Sequence, residues 1–158
     1  SSCSLHDPVF IQWLCSRLRT ASDSAKRLLI EFPESGALKN LQETRNFITR
    51  LQTHGCYCGI DHFGRGFFSF SYLRSMNVRY LKIDGSYIRG LNEEDNRSFI
   101  KALTDTAHSI DISVIAQTVE TTAERNTLIS MKLDGVQGFL TGKPEALRHK
   151  ITATTVTA

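Results

Sequence analysis

The chain has 158 residues, 41% of them hydrophobic, and a formal net charge of +3 at pH 7. That length suits one domain or part of a larger one, and the apolar content supports a packed core rather than disorder. The basic residues (Lys26, Arg27, Arg45, Arg50, Arg79, Lys82 and Lys101 among them) form no dense run, and no apolar stretch could cross a bilayer, which argues against a nucleic-acid polymer as partner and against a membrane span in this segment.

Asp7 and Pro8 open the first predicted helix as N-cap and first helical residue. Phe10, Leu14 and Leu18 then recur at i, i+4 and i+8. "RLLIEF" (27–32) reads as a buried strand. A helix is expected from there to about Gln52, with Leu38, Leu41, Ile48 and Leu51 on one side and Gly55 as its stop. "CYCGID" (56–61) is the second strand, "FSFSYLRSM" (68–76) a helix, and "VRYLKID" (78–84) the third strand. A long helix over 94–110 turns Phe99, Leu103, Ala107 and Ile110 inward, and "ISVIAQ" (112–117) is the fourth strand. Thr121 and Glu124 make a capping box for a helix over 123–133. "GVQGF" (135–139) is a short fifth strand, and Gly142 and Pro144 lead to a terminal helix.

Strands alternating with helices imply an α/β fold with parallel strands and right-handed crossovers. The apolar strands fit a sheet covered on both faces. Periodicity leaves two architectures open, a doubly wound sheet and part of a closed barrel. Trp13, Phe67, Phe68 and Phe70 read as packing residues rather than a base-stacking platform. Cys3, Cys15, Cys56 and Cys58 have neither CxxC nor zinc spacing, so free thiols in a reducing compartment are expected. Arg65 reads as a solvated loop residue.

The polar residues cluster at strand ends: Glu31 and Glu34 at the first, Asp61 and His62 at the second, Lys82 and Asp84 at the third, Gln117 and Glu120 at the fourth, Gln137 at the fifth. In parallel α/β folds, sites assemble at the C-terminal ends of the strands. Carboxylates and a lysine there suit a phosphate ester, with divalent cations bridging to its oxygens. Lys82 interrupts the buried run Leu81–Ile83, which a merely solvated lysine would not do.

Four ordered segments carry a resemblance: "LLIEFPES", "GIDHFGRGFFSFSYLRSMNVRYLKIDGSYIRGL", "VIAQTVET" and "GVQGFLTGKP". They resemble the motifs of EAL domains, the cyclic di-GMP phosphodiesterase family, over about residues 4–146, and are most similar to the degenerate, receptor-type domains of the LapD kind. The resemblance implies a modified TIM (β/α)8 barrel, of which this chain carries the C-terminal part, about five strand–helix units. A whole barrel takes roughly 250 residues. The expectation is therefore a partial degenerate domain over 1–158, without the N-terminal strands, the EAL signature or its asparagine ligand.

Position by position, the resemblance makes Glu31 and Asp61 metal-ligand carboxylates, Glu34 the stabiliser of the loop after the second strand, Lys82 the site lysine and Glu120 a site glutamate. Asp84 and Gln137 are further ligand-binding candidates. Three positions depart from the pattern: His62 replaces an aspartate, Gln117 a glutamate and Thr118 a glycine. A two-metal hydrolase needs negative charge for both cations and a group that activates water. Gln117 supplies neither charge nor a proton acceptor, and an imidazole is a poor ligand for Mg²⁺.

The leading expectation is an inactive EAL domain serving as a cyclic di-GMP receptor in bacterial signalling, controlling biofilm and adhesion. It would need no cofactor, with Mg²⁺ or Mn²⁺ relevant only to residual hydrolysis. A homodimer, a further protein partner, and a cytoplasmic setting within an inner-membrane protein follow from the same resemblance. The alternatives are a nucleotide-independent interaction module and a weakly active phosphodiesterase.

Overall fold

The computed structural model describes residues 2–66 and 70–145. Phe67, Phe68 and the expected terminal helix lie outside the described residues. A 3-10 turn, Ser2–His6, precedes α1, Pro8–Thr20. Asp7 caps α1: its carboxylate accepts the backbone N–H groups of Val9 (2.9 Å) and Phe10 (3.2 Å). A short α2, Ser22–Ala25, leads to β1, Leu29–Pro33.

The single helix expected before Gln52 is two: α3, Glu34–Ala37, and α4, Leu41–Gln52. The break comes at Asn40, whose side chain accepts the N–H of Glu43 at 3.1 Å and starts a new helix. Leu38 falls between the two and is exposed, while Phe47, Ile48 and Leu51 are buried. Gly55 ends the segment at φ 81°. Then come β2, Tyr57–Phe63; α5, Ser71–Met76; β3, Tyr80–Ile83; and α6, Gly85–Arg89, a helix without an expectation from sequence. The remaining elements are α7, Glu94–His108; β4, Ser113–Ala116; α8, Thr122–Ser130; and β5, Gly135–Val136. Thr121 and Glu124 form the capping box that starts α8.

The five strands make one parallel sheet in the order β1-β2-β3-β4-β5. That order separates the two architectures left open by periodicity. A doubly wound sheet reverses its strand order at a switch point. Here the order never reverses, so right-handed crossovers place successive helices on one face, as in the arc of a barrel.

The helix-facing side is closed. Phe32, Cys58, Ile60, Leu81, Ile83, Val114 and Ala116 alternate along the strands and are buried. The opposite face is not covered as the sequence suggested: among the described residues, Leu29 is 50% and Tyr57 42% exposed on it. Trp13, expected to serve core or helix packing, is 52% exposed and stacks on Phe10 of the same helix, with Arg17 over its ring. The ring therefore covers the surface of its own helix. Phe70 packs against Phe63 (centroids 6.2 Å apart). Cys15, Cys56 and Cys58 are free thiols. Burial, with Cys56 beside it, pushes the Cys58 thiol up to about 12, so it stays protonated and unreactive at neutral pH. Among the described residues, no helix is long and apolar enough to cross a membrane.

Candidate functional site at the strand ends

Strand alternation sends Glu31, Gly59 and Asp61, Tyr80 and Lys82, and Ile115 to the face away from the helices. Register then sets neighbours. Glu31 pairs with Gly59, Gly59 with Tyr80, and Tyr80 with Ser113, so these four form one row across the sheet. Lys82, Ile115 and Gly135 form another.

Two polar clusters result. In the first, Glu31 Oε1 accepts both the Lys82 ammonium at 2.5 Å and the Tyr80 hydroxyl at 2.6 Å. Lys82 is only 9% exposed, and the ion pair is what makes its burial tolerable. Burial and the hydrogen bond to Glu31 push the Tyr80 phenol well above its ordinary range, so it remains a donor. Gly59 makes this contact possible. A Cβ there would lie 2.4 Å from the Tyr80 ring, so the absent side chain is the space through which Tyr80 reaches across β2 to β1.

In the second cluster, Asp61 Oδ1 accepts the Gln117 side-chain amide at 2.5 Å and the His62 backbone N–H at 3.0 Å. The other side-chain atom of that amide, Gln117 Oε1, is buried without a hydrogen-bond partner. The β2–β3 register shifts between Ile60 and Phe63, and His62 sits in this bulge at φ 52°. The bulge turns the imidazole between two carboxylates: Nδ1 is 2.9 Å from Asp84 Oδ2 and Nε2 is 3.5 Å from Asp61 Oδ2.

Asp84 is 3% exposed and heavily engaged. Besides His62, it accepts the Ser86 N–H as cap of α6 and the Arg65 guanidinium at 3.1 Å. Burial alone would raise its pKa. The Ser86 backbone and hydroxyl, His62 and Arg65 outweigh burial and hold it down at about 2. Arg65 is therefore exposed, as its sequence suggested, yet paired rather than simply solvated.

Glu34 is buried beneath the loop that follows β2. Its Oε2 accepts the Gly64 N–H at 3.1 Å and its Oε1 the Tyr72 hydroxyl at 2.6 Å. The Tyr87 hydroxyl donates to the Gly64 carbonyl at 2.8 Å. The loop is thus held from both sides of one glycine.

At the other end, Gln117, Thr118, Glu120, Gln137, Gly138 and Phe139 line a small cavity of about 200 Å³. Glu120 and Gln137 are exposed at its rim. Thr118 holds a left-handed backbone (φ 56°), and its hydroxyl and methyl fill the space that a Cβ on Gly85 would need. Gly138 lies directly on the backbone of Val119, where a Cβ would come within 2.2 Å of the Val119 oxygen. The Val119 N–H also donates to the Gln137 carbonyl at 3.0 Å. These contacts tie the exit of β4 to the exit of β5.

A parallel-strand arc with Glu31, Asp61 and Lys82 on one face, and Glu34 locking the loop after β2, fits one family, whose description matches residues 1–144. This chain belongs to the EAL domain family. It is 32% identical over 148 residues to the cyclic di-GMP phosphodiesterase PdeF of Escherichia coli, covering 93% of this chain and 19% of PdeF. Its fold is similar to the MucR phosphodiesterase of Pseudomonas aeruginosa in complex with c-di-GMP, with a TM-score of 0.84 and 26% identity over 91% of this chain and 59% of that one. It is equally similar to the apo S helix-GGDEF-EAL segment of Vibrio cholerae LapD, with a TM-score of 0.84 and 28% identity over 89% of this chain and 34% of that one. The chain thus spans about a fifth of PdeF and less than two thirds of either structure.

The EAL donor set implies divalent cations. The residues as folded here do not fit a two-cation centre. Oε1 of Glu31 is occupied by an ammonium and a hydroxyl, Oδ1 of Asp61 by two N–H groups, and Gln117 presents a neutral amide. Among the described residues, no group of three or more His, Cys, Asp or Glu side chains is arranged to hold a metal ion.

Sequence reasoning missed Tyr80 and Gly59. Both were legible in principle. Tyr80 is two residues before Lys82 and must share its face, and Gly59 is two before Asp61.

Proposed function

We propose that this EAL domain binds cyclic di-GMP at the strand-end mouth without hydrolysing it, and reports its occupancy to a partner. The observation that carries this reading is the Gln117 side chain on Asp61. At the end of β4, a carboxylate would draw in a cation and take a proton from water. The amide does neither, and instead donates its own N–H to Asp61. The Lys82–Glu31 pair likewise supplies internally the positive charge that a cation would bring.

Binding needs less than hydrolysis. Lys82 offers a cation to a phosphate, Glu120 and Gln137 stand exposed at the rim for base or water contacts, and the buried Gln117 Oε1 lacks a donor that a ligand or water could provide. Support also comes from the likeness to both the MucR complex and LapD, which has been solved bound to c-di-GMP. The degenerate positions are then His62, Gln117 and Thr118. A homodimer, a protein partner, and a cytoplasmic place within an inner-membrane protein complete the proposal.

Titration calorimetry with cyclic di-GMP in EDTA tests the binding half. Saturable heat at micromolar ligand is expected, and none at high micromolar ligand sinks the reading. Incubation with Mn²⁺ tests the other half, and steady accumulation of linear pGpG would make the domain an enzyme.

A further inference from the structure

We propose that Tyr80 is a positioning residue that holds the Glu31 carboxylate against divalent cations. The inference rests on the assignment of Glu31 as the cation-facing carboxylate of β1 and stands whether or not the nucleotide binds. It begins with the row Glu31–Gly59–Tyr80. Adjacent strands lie about 4.8 Å apart, so a side chain on β3 ordinarily meets its β2 neighbour and stops there. Gly59 removes that neighbour. The phenol ring lies over the bare β2 backbone, and its hydroxyl reaches Glu31, two strands away, at 2.6 Å.

The consequence is chemical. A carboxylate oxygen offers about two lone-pair directions. On Glu31 Oε1 one goes to the Tyr80 hydroxyl and the other to the Lys82 ammonium. A cation at this oxygen would have to displace both donors. A cation at the remaining oxygen would sit beside the Lys82 charge in a partly dry setting, where like charges repel strongly. Tyr80 and Lys82 therefore act together. Lys82 supplies the charge, and Tyr80 fixes the carboxylate rotamer so that the pair stays closed.

The exposed Phe10–Trp13 surface of α1 has nothing to say what covers it. The open groove of Arg19, Arg50 and His54 between α1 and α4 holds two guanidinium groups but, among the described residues, no buried unpartnered donor lines it.

The test is Tyr80→Phe in the natural full-length protein, with Mn²⁺ as the probe. Phenylalanine keeps the ring over Gly59 and removes only the hydroxyl, so packing is retained. Free Mn²⁺ followed by electron paramagnetic resonance reports binding without reference to activity. Tyr80→Phe is expected to tighten Mn²⁺ binding about tenfold, the scale of one hydrogen bond to a charged group. Adding Glu31→Gln should erase that gain. Unchanged Mn²⁺ affinity in Tyr80→Phe overturns the proposal, and so does a gain that survives Glu31→Gln. Cyclic di-GMP titration of the same variants in EDTA reads the receptor function separately, so failure of one is not mistaken for failure of the other.

Discussion

The two faces of the sheet obey different rules. Toward the helices, Phe32, Cys58, Ile60, Leu81, Ile83, Val114 and Ala116 are apolar, buried and interchangeable in kind. Toward the other side, Glu31, Asp61, Tyr80, Lys82 and Gln117 are polar, and each is committed to a named partner. The same backbone supports both because side chains alternate. One face supplies stability through area removed from water. The other is specified bond by bond, so a single atom changes what it can do.

The comparison predicts that damage will be of different kinds. On the apolar face, Leu81→Ala should cost about 3 kcal/mol by leaving a cavity, read as a lower urea midpoint, with the proposed cyclic di-GMP affinity of the folded fraction retained. A loss of affinity without a loss of stability would show that the two faces are not separable. At the seam between them, Glu34→Gln weakens the bonds to Gly64 and Tyr72 and should cost about 2 kcal/mol. Hydrogen exchange should speed up first at the Gly64 amide, and a change spread evenly over β2 would mean that Glu34 does not act through its loop.

Smaller effects sharpen the polar face. Thr118→Gly removes a left-handed threonine and should raise stability by about 1 kcal/mol, measured by thermal melting. A drop would mean that the packing of Thr118 on Gly85 outweighs the backbone strain. Last is acid sensitivity. The Asp84 carboxyl titrates at about 2 in the folded chain against an ordinary 3.8. Its stabilisation is therefore complete above about pH 4 and is lost as the pH falls from there through about 2. Asp84→Asn should flatten that part of the stability profile, and a wild-type profile in the variant would assign the acid sensitivity elsewhere.

The sequence announced what local rules govern. Asp7–Pro8 and Thr121–Glu124 are caps whose donors and acceptors lie within one turn, so their chemistry is visible in the letters. The strand-end positions of Glu31, Asp61 and Lys82 followed from alternation and from the resemblance. What was hidden depends on register or on space. The break at Asn40 competes with a helical pattern running straight through it. Trp13 is apolar and lies one turn after Phe10 in α1, yet it is half exposed. The His62 bulge places its imidazole between Asp61 and Asp84, so this residue, legible only as a replaced carboxylate, is also a clasp between two strands. The reach of Tyr80 needed the knowledge that Gly59, rather than any other residue, lies beside it.

Gly138 and Phe139 are consecutive, yet they stand under opposite constraints. Gly138 rests on the Val119 peptide with no room for a methyl group, while Phe139 is 59% exposed. Position 139 therefore has room for other side chains at the rim of the cavity. Position 138 accepts only glycine without a shift of the Val119 peptide, which belongs to the segment carrying Gln117 and Glu120. The rim of the cavity can thus be reshaped one letter away from a position that admits no side chain.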